Sequence, residues 1–211
     1  MLKTISKIAA VIALSTAGVA NATPFTISMV ADNDFAIFGG TATSINNVLY
    51  QNNVDWYSQI PQLSTMTFNL APTDTTFYVL AMGGGGPEEN ISGKVNGVNI
   101  TSIPVLVSSD VSSFLNGYNL GAVAAGIYTA NLSDVQTAFT QASWSAPTLN
   151  TTQTVIAAAG FGSGYSFATG TAHLYRFGAV SVDVNVPEPA GIALFGLGLL
   201  GLAAVRRRKA V

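Results

Sequence analysis

The run Asp32-Asn33-Asp34 places three oxygen-bearing side chains in succession. Such donors suit a hard cation such as Ca2+, which takes six or more of them. The run is not an EF-hand loop, because no glycine stands at the sixth position and no glutamate at the twelfth. Asp32 and Asp34 are therefore weak candidate metal ligands, and Asp55, Glu88 or Glu89 would have to complete the shell. The competing reading is a polar strand end whose carboxylates face water or cap backbone N–H groups. The stretch Gly83-Gly84-Gly85-Gly86-Pro87 is glycine-rich, as phosphate-cradling loops are. It lacks the Gly-Lys-Ser/Thr that opens a helix in such loops, and Glu88 and Glu89 would repel phosphate. A surface loop is expected there.

His173 is the only histidine, so sites built on several histidines are excluded. Serines are plentiful, but no Gly-x-Ser-x-Gly elbow is present, and Gly162-Ser163-Gly164 lacks the spacing. A hydrogen-bonded strand histidine is expected. Glu88 and Glu89 are adjacent, an arrangement that rarely sets the carboxylate separation glycoside hydrolysis needs. Trp56, Tyr57, Tyr118, Trp144 and Tyr165 would make either a sugar-stacking platform or ordinary sandwich core. No constellation specifies a reaction, and the chain is read as a non-enzyme with no required cofactor. Calcium is the one ion it leaves room for.

Composition sets the frame that must position these residues. The 211 residues are 49% hydrophobic and only 9% charged, with no cysteine. Helices usually need Lys, Glu and Arg on their wet face, so this balance favours β structure. Without cysteine there are no disulfides or thiolate metal sites, and stability must come from a packed core. Lys3 and Lys7 open the chain; Arg206, Arg207, Arg208 and Lys209 close it; only Lys94 and Arg176 lie between. A chain with no basic stripe is a poor partner for nucleic acid.

The two ends read as addresses. Lys3 and Lys7 form a positive region, Ile8 to Leu14 a short apolar one, and Ala20-Asn21-Ala22 a small-residue cleavage site. Residues 1–22 are thus a secretory signal cut after Ala22 by signal peptidase. Residues 190–205 are uncharged and would extend about 24 Å as a helix, a little short of a bilayer core of roughly 30 Å. The basic cluster at 206–209 would hold the C-terminus in the cytoplasm. Pro187 and Pro189 keep the preceding strip extended.

Pro187-Glu188-Pro189, the Gly/Leu-rich span and Arg206-Arg207-Arg208-Lys209, in that order, resemble the PEP-CTERM sorting signal of Gram-negative bacteria. The resemblance covers 187–211. It implies recognition by an exosortase that cuts near Pro-Glu-Pro, export across the inner membrane with a transient membrane anchor, and then delivery to the cell surface or extracellular matrix. It further implies a place in exopolysaccharide and biofilm formation. The exosortase would supply the catalytic residues. A GPI signal shares the small-residue and apolar layout but does not end in a basic cluster. The Asn-x-Ser/Thr triplets at Asn90, Asn99, Asn131 and Asn150 are, in that bacterial setting, no sign of eukaryotic glycosylation.

Residues 23–186 are long enough for a single antiparallel β-sandwich. Phe25/Ile27/Met29, Met66/Phe68/Leu70 and Val180/Val182/Val184/Val186 alternate as half-buried strands do. Phe35 to Phe38 and Thr76 to Leu80 are continuous apolar runs and read as interior strands. Thr154 to Ala158 and Thr171 to Phe177 are further strands. Asn96-Gly97 predicts a two-residue type I′ turn joining strands at 91–95 and 98–103. One short helix is expected, capped by Ser133 with Gln136 three residues on and carrying Val135, Ala138, Phe139 and Ala142 at helical spacing.

The run Val30-Ala31-Asp32-Asn33-Asp34-Phe35-Ala36-Ile37-Phe38-Gly39-Gly40, with Trp56 downstream and Phe77-Tyr78-Val79-Leu80-Ala81-Met82-Gly83-Gly84, resembles jelly-roll, galactose-binding-like domains of exported bacterial proteins. The resemblance implies a jelly-roll-like sandwich. Two functions follow as expectations: a structural or adhesive surface protein, or a secreted carbohydrate-binding module, calcium-assisted, for extracellular polysaccharide.

Overall fold

Alternation decides the strands and a few turns decide their order. The computed structural model describes residues 24–52, 54, 56–60, 65–86, 89–152 and 159–178, without the side chain of Trp56. They belong to one compact unit, Ala22–Val182. The signal, the strands expected at 154–158 and 180–186, the sorting motif, the 190–205 span and the basic tail lie outside them. Among the described residues no helix is long and apolar enough to cross a membrane.

The protein is mostly β, in two antiparallel sheets. Its strands are β1 (Pro24–Ala31), β2 (Asp34–Thr41), β3 (Ser44–Asn52), β4 (Met66–Asn69), β5 (Thr76–Met82), β6 (Glu89–Val95) and β7 (Val98–Asn99). They continue with β8 (Val105–Ser108), β9 (Trp144–Ser145), β10 (Thr148–Asn150), β11 (Gly164–Phe167) and β12 (Ala172–Phe177). The first sheet runs β10-β11-β6-β1-β4, with β7 on β6; the second runs β3-β2-β5-β12-β8-β9. Phe25, Ile27, Met29, Ile91 and Tyr165 of the first sheet meet Phe35, Ile37, Phe77, Val79, Tyr175 and Phe177 of the second in one core. The arrangement is consistent with a β-sandwich.

The interior strands are where the continuous runs predicted them. Every residue of Thr76–Met82 is buried. Phe77, Val79 and Ala81 enter the inter-sheet core, while Tyr78, Leu80 and Met82 enter a second core on the sheet's other face. A strand buried on both faces has no wet side, so its sequence cannot alternate. The second core is covered by the segment 111–142. It holds a 3-10 turn (Ser112–Phe114), the short helix α2 (Leu120–Ala124) and the longer helix α3 (Leu132–Gln141), after a single-turn α1 (Trp56–Gln59) earlier in the chain. The expectation of one short helix is corrected accordingly. The two extra α-helical turns are too short for an apolar period to register in the sequence.

Two local expectations also shift. Asn96 and Gly97 take φ of 49° and 78°, as a type I′ turn demands. The return strand is only Val98–Asn99, however, because Asn99 caps a 3-10 turn at Ile100–Ser102. Helix α3 is capped by Asn131 and not by Ser133: the Asn131 Oδ1 accepts from the Ser133 N–H at 3.0 Å. The Gln136 side chain, freed from a capping box, donates to the Ile45 carbonyl of β3 at 2.8 Å and ties helix to sheet.

Strand direction gives the sandwich two poles. Thr76 of β5, Val105 of β8 and Phe177 of β12 lie at one, as the pairings Phe177–Phe77 and Phe177–Val105 require. Met82, Ala172 and Asp34 lie at the other.

Candidate functional site

The polar residues singled out from the sequence gather at the second pole. Only Asp32 and Asn33 separate β1 from β2, so the chain crosses between sheets there. Asp32 N–H donates to the Asn90 carbonyl at 2.9 Å and Asn33 N–H to the Met82 carbonyl at 2.8 Å. Gln59, on α1, occupies the free edge of β1 beyond the end of β4. Its Oε1 accepts from Ala31 N–H at 2.9 Å, and its Nε2 donates to the carbonyls of Asn33 and Val54. One amide side chain thus does the work of a short neighbouring strand, satisfying backbone groups that would otherwise be left bare.

The glycine-rich loop holds the protein's own anion. Glu89 Oε1 accepts from Gly85 N–H at 2.9 Å and Gly86 N–H at 3.1 Å. Successive backbone N–H groups of this kind form an anion-binding nest. The carboxylate is buried. Burial pushes its pKa above the ordinary value, against the opposing pull of the N–H groups at Gly85, Gly170, Gly86 and Gly84. Close approach explains two of the glycines. A Cβ on Gly84 would stand 1.9 Å from Asn33 Oδ1, and one on Gly83 would stand 2.8 Å from Glu89 Cδ. Tyr118 closes the loop from the helical layer, its hydroxyl against the carbonyls of Gly83 at 2.9 Å and Thr171 at 3.0 Å. Burial, with the nearby Glu89 and Asp110 charges, holds that phenol well above its usual range.

The metal reading gains nothing from this geometry. Asp32 and Asp34 are both buried. Among the described residues no three His, Asp or Glu side chains form a group that could hold a metal ion. Asp55 and Glu88 lie outside those residues. His173 sits in β12 with Nδ1 2.9 Å from the Ser108 carbonyl and Nε2 2.8 Å from Thr171 Oγ1. Both ring nitrogens are engaged by structural partners, and no carboxylate is among them.

Among the described side chains the aromatic platform is not assembled. Tyr165 lies in the inter-sheet core, its ring 5.9 Å from Tyr175. Trp144 packs in the second core beside Phe139 and Tyr78, with the Arg176 guanidinium 4.9 Å from its ring centroid. Tyr118 stands against Tyr128 in the helical layer. Among the described side chains of the set only Tyr57, at 71%, is exposed, and the side chain of Trp56 lies outside them. These rings sit in different layers because their segments do: Tyr165 is in β11 of the first sheet, Trp144 in β9 of the second, and Tyr118 just precedes α2.

Of the Asn-x-Ser/Thr triplets at Asn90, Asn99, Asn131 and Asn150, three share one local structure. Asn99, Asn131 and Asn150 each accept, through Oδ1, from the N–H and hydroxyl of the residue two positions on. They are Asx turns, with side chains standing in for a backbone turn. Asn90 and Ser92 differ: both are in β6, fully buried, and their side-chain polar atoms have no hydrogen-bond partner. Sequence reasoning missed Gln59 and the Glu89 cradle. A carboxylate three residues after four glycines was the available signal for the second.

The sorting residues Pro187, Glu188, Pro189, Arg206, Arg207, Arg208 and Lys209, and the cleavage residues Ala20 and Ala22, lie outside the described residues. Comparison with family models finds the PEP-CTERM protein-sorting motif at residues 185–209. That match supports an exosortase substrate and leaves the sandwich unassigned. No curated protein and no solved structure matches the chain.

Proposed function

We propose that a chain carrying a PEP-CTERM sorting motif at 185–209 is an exported surface or matrix protein with a structural or adhesive role in an exopolysaccharide biofilm. The motif is the observation that carries this reading. It implies processing by an exosortase at or near Pro187-Glu188-Pro189, with residues 190–205 as the transient anchor. The sandwich supports the structural half of the reading. Its loop pole is built of polar groups that hold one another: Gln59 on backbone, Glu89 on glycine N–H groups, His173 on Thr171 and Ser108. Such an arrangement serves to fix loops.

The test is the intact mass and location of the protein in its native host, with and without the exosortase. Loss of both ends in the wild type and retention of the tail in the mutant are expected. A tail retained in both would end the sorting reading. Replacing Pro187, Glu188 and Pro189 with alanine should likewise leave unprocessed protein in the inner membrane.

A second reading is a jelly-roll, galactose-binding-like module that binds matrix polysaccharide with calcium. The two-sheet architecture and the exposed Tyr57 support the module, and its calcium dependence is left to the test. A glycan array with and without Ca2+ separates the two readings. Absence of binding at every calcium level would leave only the structural role.

A further inference from the structure

The dipeptide Asn-Gly occurs twice in the chain, at 96–97 and at 116–117. In this pair the asparagine side chain is open to attack by the next backbone nitrogen, because glycine has no side chain to block the approach. The attack needs a side-chain amide that is free to turn. The structure treats the two copies differently. In the turn between β6 and β7, Asn96 Oδ1 accepts from Thr26 N–H at 2.8 Å and from Thr26 Oγ1 at 3.3 Å. The Asn96 N–H donates to the Thr26 carbonyl at 2.8 Å. Backbone and side chain of Asn96 are thus both pinned to β1.

Asn116 and Gly117 are the exposed corners of a turn over 115–118, closed by Tyr118 N–H on the Leu115 carbonyl at 3.1 Å. Gly117 takes φ of 73°, the third-position value of a type II turn. The Asn116 backbone N–H donates to Asp134 Oδ2, in the first turn of α3, at 3.1 Å. Among the described residues its side-chain amide has no hydrogen-bond partner. The residues that follow this turn bear on the glycine-rich loop. The Tyr118 hydroxyl meets the carbonyls of Gly83 and Thr171. Leu120 opens α2 and packs over two glycines: a Cβ on Gly170 would stand 2.9 Å from its Cδ2, and one on Gly85 3.5 Å from its Cδ1. The 115–118 turn therefore sets two side chains against the loop that holds Glu89.

We propose that Asn116 is a site of spontaneous conversion to aspartate and isoaspartate, that the fold protects Asn96 from the same reaction, and that conversion loosens the Gly83–Gly86 loop. The Gly117 backbone nitrogen bonds to Asn116 Cγ. The Cγ–Nδ2 bond breaks, and Nδ2 leaves as ammonia with the proton of the Gly117 N–H. Water then opens the succinimide ring at one of its two carbonyls, which leaves either aspartate or isoaspartate. Both products put a negative charge on the turn that Asp134 holds, and like charges repel. Isoaspartate also adds one atom to the main chain between Leu115 and Tyr118, so the hydrogen bond that closes the turn is lost. Tyr118 and Leu120 then lose their fixed placement against the loop.

The full-length protein is incubated at mildly alkaline pH, folded in detergent and, in parallel, unfolded in denaturant. Peptide mass mapping follows conversion at each asparagine, and each folded rate is divided by the unfolded rate at the same position. That ratio should be several-fold higher at Asn116 than at Asn96. Converted and unconverted folded protein are then compared by amide hydrogen exchange. Exchange at Gly85 and Gly86, whose N–H groups bond to Glu89 Oε1, should be faster after conversion. Asn116→Gln, incubated alike, should show no such change. Equal ratios at the two positions, or a higher one at Asn96, would overturn the assignment of the site. Conversion at Asn116 with unchanged exchange at Gly85 and Gly86 would overturn the link to the loop.

Discussion

The two sheets solve opposite problems with the same alternating strands. The second sheet is buried twice: Phe77 and Val79 face the sandwich, Tyr78 and Leu80 face the helical layer. The first sheet has one core face, and its outward face carries Thr26, Lys94 and Thr67, at least partly open to water. Its outward face also buries Asn90 and Ser92 without side-chain partners. The second sheet is therefore where deletions of apolar atoms should cost most, and the first is where polar chemistry has been left unspent.

Phe77→Ala should have the largest effect, a loss of about 3–5 kcal/mol on chemical denaturation, because it empties the centre of the stack Phe25–Phe77–Phe177 that joins both sheets. Leu80→Ala probes the other face of the same strand. A loss of about 2–5 kcal/mol is expected; a loss under roughly 1 kcal/mol would mean that segment 111–142 is loosely docked and the second core is nominal. Asn131→Ala should remove the cap of α3 and cost about 1 kcal/mol. If Ser133→Ala cost more, the capping assignment would be reversed. Tyr175→Phe should be neutral or slightly stabilising in the same assay. The hydroxyl is buried without a partner, and its removal relieves a desolvated polar group.

Glu89→Gln has an effect that depends on pH. Because burial raises the native pKa of Glu89, its contribution to stability is present below the ordinary carboxylate range and lost as pH rises through the raised value. Glutamine keeps an oxygen for the Gly85 and Gly86 N–H groups and carries no charge. The variant should melt above wild type at neutral pH, and the two should converge below about pH 4. A difference constant with pH would show that the carboxyl does not ionise in the cradle.

Much was legible because it is local. A two-residue turn needs positive φ, and Asn96-Gly97 announced it. A strand wet on one side must alternate, and Phe25, Ile27 and Met29 did. A continuous run such as Thr76 to Leu80 told of burial on both faces, but not of what covers them. The order Pro-Glu-Pro, apolar span and basic cluster is likewise contiguous, and the family match at 185–209 rests on it.

Other features depend on which distant segments become neighbours. Nothing near Gly83 in sequence says that Tyr118 will close it, or that Gln59 will complete the edge of β1. The aromatics look alike in sequence, yet one strand parity sends Tyr165 inward while another sends Trp144 to the helical side. The triplets at Asn99 and Asn90 have the same pattern; one sits at a turn and bonds to itself, the other is held flat in β6 where the sheet already claims its backbone. The sequence by itself determined the address of this protein and the period of its strands, since both are set by adjacent residues. Only the tertiary structure decided which polar groups are satisfied and which strand ends share a pole, because those follow from strand order and direction, and contacts between residues far apart in the chain exist only once the sheets have packed.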